Sequence, residues 1–147
     1  MEFNQSEFLI ETAVPEDELI ISRTDLKGVI TYANEAFAEI SGYDMDEIIG
    51  QPHSIVRHPD MPSTVFKDLW ETIQNKKQWT GVVKNLRKDM GFYWVKVIVS
   101  GLYKDGELVE YKSLRTPISY EEKVETQKLY DKMRAENGEK VRKVIYE

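Results

Sequence analysis

The chain has 147 residues, 20 Lys plus Arg against 26 Asp plus Glu, 41% hydrophobic residues and no cysteine. That length fits one domain with a short extension, and 11% aromatic content is too much core-forming material for a disordered chain. The net charge of -6 excludes a duplex-DNA or anionic-membrane binder, which would need clustered Lys and Arg. The missing cysteines exclude disulfides, thiolate nucleophiles and iron–sulfur clusters.

Residues 1–18 read as an N-terminal cap, acidic but carrying Phe3, Phe8, Leu9 and Ile10 to hold it to a core, with Pro15 near its end. They show no basic region followed by a long apolar run, so they are no secretory signal. No later stretch approaches the ~18 apolar residues of a membrane span. The expectation is a soluble, cytoplasmic chain without membrane insertion.

From Leu19, LIISRTDLKGVITYAN gives two β-prone runs around a turn at Asp25-Leu26-Lys27-Gly28, a hairpin. Asn34 then opens a helix with Ala36, Phe37 and Ile40 on one face, closed by Gly42. Asp44 with Glu47 starts a single turn that ends at Gly50. Residues 51–62, QPHSIVRHPDMP, hold three of the five prolines and both histidines, which predicts an irregular segment where chemistry concentrates.

After Pro62, Val65, Phe66, Leu69, Trp70 and Ile73 form the stripe of a helix of three to four turns. WTGVVKNLR, FYWVKVIVSGLY and ELVEYKSLRT follow as three strands joined at Lys88–Gly91 and Lys104–Gly106, a meander. Ser119 with Glu122 opens a charged helix ending near Asn137-Gly138, with Tyr120, Val124 and Met133 as a thin apolar line and Leu129 and Tyr130 beside it. Residues 119–147 contain seven bases and seven acids, so the net charge belongs to residues 1–118. Five strands with few helices predict an α+β fold, an antiparallel sheet with helical pieces gathered on one side.

This order of elements, with TDLKGVITYANEAFAEISGY early and WTGVVKNLRKDMGFYWVKVIVSGL late, resembles a PAS domain. GQPHSIVRHPDMPSTVFKDLW, followed by Trp79, Gly81, Lys84-Asn85 and Tyr93-Trp94-Val95, narrows the likeness to the flavin-binding PAS domain of bacterial aerotaxis receptors over roughly residues 15–120. The resemblance implies a PAS sensor domain over 19–118 whose sheet and helices enclose a ligand pocket, and a charged helix or linker over 119–147. It also implies an FAD-binding redox or oxygen sensor that signals to the membrane-proximal cytoplasmic domain of a chemoreceptor, with a PAS homodimer as a further arrangement.

In that family the Arg, His and Asp of the RHPD string and the Trp opening the next strand bear on FAD binding, which here are Arg57, His58, Asp60 and Trp79. The chemistry agrees for Arg57, whose guanidinium bonds phosphate in bidentate fashion, and His58 can add a donor. Asp60 cannot approach phosphate favourably, so it holds Arg57 or His58, or caps the helix near Pro62. Trp79, Gly81, Val83 and Asn85 share one strand face, an aromatic, a gap and an amide suited to an isoalloxazine ring. Asn34 and His53 complete the expected pocket, although Asn34 also reads as a helix N-cap.

A metal site at His53, His58 and Asp60 is disfavoured because Pro59 breaks their register. Haem on one His, or a cofactor-free interaction module, is the alternative to flavin. No nucleophile, base and oxyanion constellation supports an enzyme.

Overall fold

The computed structural model describes residues 10–139. Five strands, β1 (Ile20–Thr24), β2 (Ile30–Ala33), β3 (Trp79–Leu86), β4 (Phe92–Lys104) and β5 (Glu107–Thr116), form one antiparallel sheet in the order β2-β1-β5-β4-β3. The helices are α1 (Glu35–Ser41), α2 (Met45–Ile48), α3 (Ser63–Gln74) and α4 (Tyr120–Glu136), with a 3-10 turn at His53–Val56.

Local chemistry sets the boundaries. The Asp25 carboxylate accepts from the Lys27 and Val29 amides and Gly28 takes φ +90°, which folds the β1–β2 turn. The Asn34 side chain caps α1 by accepting from the Phe37 amide, and Gly42 ends it at φ 78°. The β4–β5 turn places Asp105 and Gly106 both at positive φ, which a two-residue hairpin connection requires. The β3–β4 turn differs from expectation, because the left-handed residue is Met90 rather than Gly91. Gly91 is required for another reason: a Cβ there would lie 2.7 Å from the Ile10 carbonyl oxygen.

That contact belongs to the N-terminal segment. The Phe92 amide donates to the Ile10 carbonyl and the Thr12 amide to the Phe92 carbonyl, so residues 10–12 extend the sheet beside the start of β4. The Ile10 side chain is exposed and Val14 packs on the core instead, whereas Phe3, Phe8 and Leu9 lie outside the described residues.

Strand alternation divides the core. Val83, Asn85, Tyr93, Val95, Val97, Val99, Tyr111, Ser113 and Arg115 face α1–α3, while Lys84, Trp94 and Phe92 face the opposite side. The charged helix α4, capped by the Ser119 hydroxyl accepting from the Glu122 amide, lies across that opposite side. Tyr130 stacks on Trp94, with ring centroids 6.4 Å apart, and its hydroxyl donates to the Val82 carbonyl. The docking face is Gln127, Tyr130 and Arg134, all buried, with Met133 packed beside them, while Tyr120 and Leu129 of the expected apolar face are exposed. Among the described residues no helix is long and apolar enough to cross a membrane.

Candidate functional site

Between the sheet and the segment from the 3-10 turn through α3 lies a cavity of about 500 Å³. Its walls are apolar and come from Val83, Val97 and Val99 of the sheet and Leu69, Trp70 and Ile73 of α3. Asn85, Ser113, Arg115 and His53 supply polar atoms, and Lys27, Arg57 and Lys67 are the exposed cations on its lining. A mostly apolar chamber with a few convergent polar groups is the usual build of a cofactor site.

Of the residues expected from the sequence, Arg57, Trp79, Asn85 and His53 line the cavity. The backbone of Arg57 bridges Asn85 at the free edge of β3, so the two side chains share the cavity face. The Arg57 guanidinium lies 4.1 Å from the centroid of the Phe66 ring. Trp79 lies along the wall, its indole nitrogen donating to Asp68 Oδ2 on α3 at 2.9 Å.

Asn34, His58 and Asp60 do not line the cavity. Asn34 is spent on structure, its side chain accepting from the Ile21 and Phe37 amides and donating to the Leu19 carbonyl. His58, one residue beyond Arg57, turns to the other side of the sheet, where it meets Phe92 edge-on. The Asp60 amide donates to His58 Nδ1 at 2.9 Å, while its carboxylate lies 3.5 Å from Arg134 of α4. The N-cap of α3 is Pro62, without a side-chain cap from Asp60. His53 and His58 therefore face opposite ways and cannot close on one metal ion.

Arg115 is the site residue that sequence reasoning missed. It is 1% exposed, and no carboxylate among the described residues pairs with it. Its Nη2 donates to Ser22 Oγ at 2.9 Å and to His53 Nε2 at 2.6 Å, and its charge lies over the Phe37 ring. Its Nη1 is buried without a hydrogen-bond partner. Burial draws its pKa down only to about 10, so it stays protonated at neutral pH. A cation enclosed with an unfilled donor is costly unless something in the cavity accepts from it. The signal available was parity, since Arg115 shares a strand face with Tyr111 and Ser113.

Because a guanidinium only donates, His53 Nε2 must accept, which fixes a neutral ring protonated on Nδ1. Burial first, and the Arg115 charge second, push the His53 pKa down to about 3. The unfolded chain therefore takes up this proton first, near pH 6.5, and stability present above that pH is lost as pH falls toward 3. Allowing for partial exposure of the ring, the loss is about 1 kcal/mol per pH unit in that window. His53→Gln should flatten the dependence of the urea midpoint on pH between 6.5 and 4.5; equal slopes for variant and parent would show that His53 is not the group.

Comparison with known proteins places these features in context. The PAS fold profile matches residues 30–115. The chain is 40% identical over 124 residues to the aerotaxis receptor of Escherichia coli (strain K12), covering 84% of this chain and 24% of the receptor. It is 31% identical over 112 residues to the nitrogen fixation regulatory protein of Klebsiella pneumoniae, covering 76% of this chain and 23% of that protein. The chain thus spans about a quarter of the length of these relatives. Among solved structures, the light state of the blue-light photoreceptor Aureochrome1 LOV superposes with a TM-score of 0.65 at 20% identity, covering 81% of this chain and 91% of that one.

Proposed function

The chain belongs to the PAS fold family, and we propose that it is a sensory domain that holds FAD non-covalently and reports cellular redox or oxygen state to a chemotaxis receptor. The observation that carries this reading is Arg115, a buried cation with an unfilled donor beside a cavity that also offers the Asn85 amide. The likeness to the aerotaxis receptor supports a signalling role.

When bound, a flavin supplies a redox couple whose reduced form carries more negative charge at its polar edge. Arg115 holds the more negative form better than the neutral one, and that difference in affinity is what lets a pocket register a state. Asn85 has both donors and an acceptor, so its amide can serve either protonation state of the ring edge. Val83, Val97, Val99 and Trp79 offer an apolar face for the ring and exclude water from it. Arg57, exposed on the cavity lining, is suited to the diphosphate. With no cysteine in the chain, photochemistry through a cysteinyl adduct has no nucleophile. Haem is disfavoured because His58 faces away from the cavity and His53 Nε2 is engaged by Arg115.

The domain works in the cytoplasm as a sensor without turnover of its own, on the membrane-proximal cytoplasmic part of a receptor. The test starts with colour: the purified protein should show a flavin spectrum, and the released cofactor should chromatograph as FAD. Arg57→Ala should weaken FAD binding about 100-fold while leaving the fold intact, because the side chain is exposed and its bond to phosphate is charge-assisted. A colourless protein that takes up no flavin on reconstitution would remove the reading. Equal binding of oxidised and reduced protein to a receptor fragment would remove the signalling half, because a surface that does not distinguish two states cannot report them.

A further inference from the structure

The polar groups on the side of the sheet away from the cavity form a second constellation. The Arg57–Asn85 bridge sets both side chains on the cavity face, so the next residue on one segment, His58, and the preceding one on the other, Lys84, face α4. His58 is 0% exposed, Asp60 2%, Lys84 1%, Gln127 3% and Arg134 4%. Lys84 Nζ donates to Gln127 Oε1 at 3.1 Å, Gln127 Nε2 donates to Asp131 Oδ1 at 2.9 Å, and Arg134 Nη1 lies 3.5 Å from Asp60 Oδ1. Burial raises the pKa of the partly buried Asp131 at the margin of this contact.

A helix docked through buried charges cannot slide a little. Each pair is compensated in one register, and displacement leaves ions desolvated without partners, so a buried ionic contact specifies position more than it adds stability. The ions concerned sit on the same two segments that carry cavity residues. Asp60 is three residues from Arg57, and the intervening His58 accepts from the Asp60 amide, which makes residues 58–60 a short, internally bonded turn directly after Arg57. Its far end is held by α4.

We propose that Arg134 is a positioning residue for the cavity: by holding Asp60 it fixes residues 57–60, and with them Arg57, so that ligand binding and the docking of α4 are thermodynamically linked. The inference rests on the flavin reading above. Linkage is reciprocal, so FAD must tighten α4 on the sheet by the same factor by which docked α4 tightens FAD. His58 and Asp60 then act on the cofactor from the opposite face of the sheet, through Arg57.

The experiment titrates FAD into the apoprotein of the full chain, its Arg134→Met and Arg134→Lys variants, and the same pair with Arg57→Ala, and follows hydrogen exchange of α4 amides with and without FAD. Arg134→Met should bind FAD about tenfold more weakly, Arg134→Lys should recover part of the loss, and Arg134→Met should add nothing once Arg57 is Ala. In the unmutated protein, FAD should slow exchange in α4 about tenfold, a readout that does not depend on any variant folding. The proposal needs both effects, and the absence of either overturns it. A wild-type chain that binds FAD with both effects missing removes only the linkage, whereas one that binds no flavin removes the flavin reading as well.

Discussion

Arg115→Met should make the apoprotein more stable and the holoprotein harder to form. In the apoprotein the guanidinium is enclosed, with a donor unfilled and no carboxylate among the described residues to compensate it. An apolar side chain of similar reach removes that cost, and replacements of this kind gain about 1–3 kcal/mol. The gain is tempered because Ser22 Oγ and His53 Nε2 lose their donor. On the proposed FAD reading, the same substitution would remove a charge-assisted hydrogen bond to the ring, worth about 2–3 kcal/mol, so FAD affinity should fall roughly 100-fold. The midpoint potential of what flavin still binds should fall too, since the cation favours the more negative reduced form. Urea denaturation of the apoprotein and FAD titration read the two effects separately. A variant that is strongly destabilised yet binds FAD normally would show that Arg115 is a structural anchor with no part in recognition.

Much of the fold is legible in the residues because local signals and long-range pattern agree. Asp25 with Gly28, Asn34 with Gly42, and Ser119 with Glu122 each name a boundary by a specific hydrogen bond or backbone angle, and each is found in place. The α3 stripe of Val65, Phe66, Leu69, Trp70 and Ile73 packs as its spacing requires, with Val65 and Ile73 buried and the other three partly so. What hides is polar burial. Arg115 stands next to the end of a strand and reads as a solvated side chain until its parity with Tyr111 and Ser113 is counted. Gln127 and Arg134 keep helical spacing with Tyr130, yet an apolar search passes over these two polar residues and starts its line at Tyr120. Nothing local relates Asp60 to Arg134, since the contact depends on α4 crossing the far side of the sheet. The RHPD string shows why a motif does not state its geometry, because alternation sends Arg57 to one face and His58 to the other.

Gly81→Ala should cost both stability and FAD, although one methyl group on a strand is usually a small change. Trp79 and Gly81 share a face two residues apart, and the space left by the glycine is filled by the Trp79 ring itself. A Cβ at residue 81 would stand 2.3 Å from Trp79 Cη2 and 2.5 Å from Cζ2, closer than real contacts allow, so the indole must move. It is not free to do so. Its nitrogen donates to Asp68 on α3, and the ring is 7% exposed. The open direction is the cavity it lines, so accommodating the methyl group places aromatic bulk in the space proposed for the cofactor ring. Overpacking of this kind costs about 1–3 kcal/mol, and the obstructed cavity should weaken FAD binding at least about tenfold. Thr80→Ala is the control, because that side chain is exposed. Combining Gly81→Ala with Trp79→Phe should recover stability relative to Gly81→Ala alone, since the smaller ring no longer reaches over residue 81, and such non-additivity identifies the contact. Gly81→Ala protein that melts and binds FAD like the parent would mean the indole has another resting place, and the wall assigned to Trp79 would then have to be drawn without it.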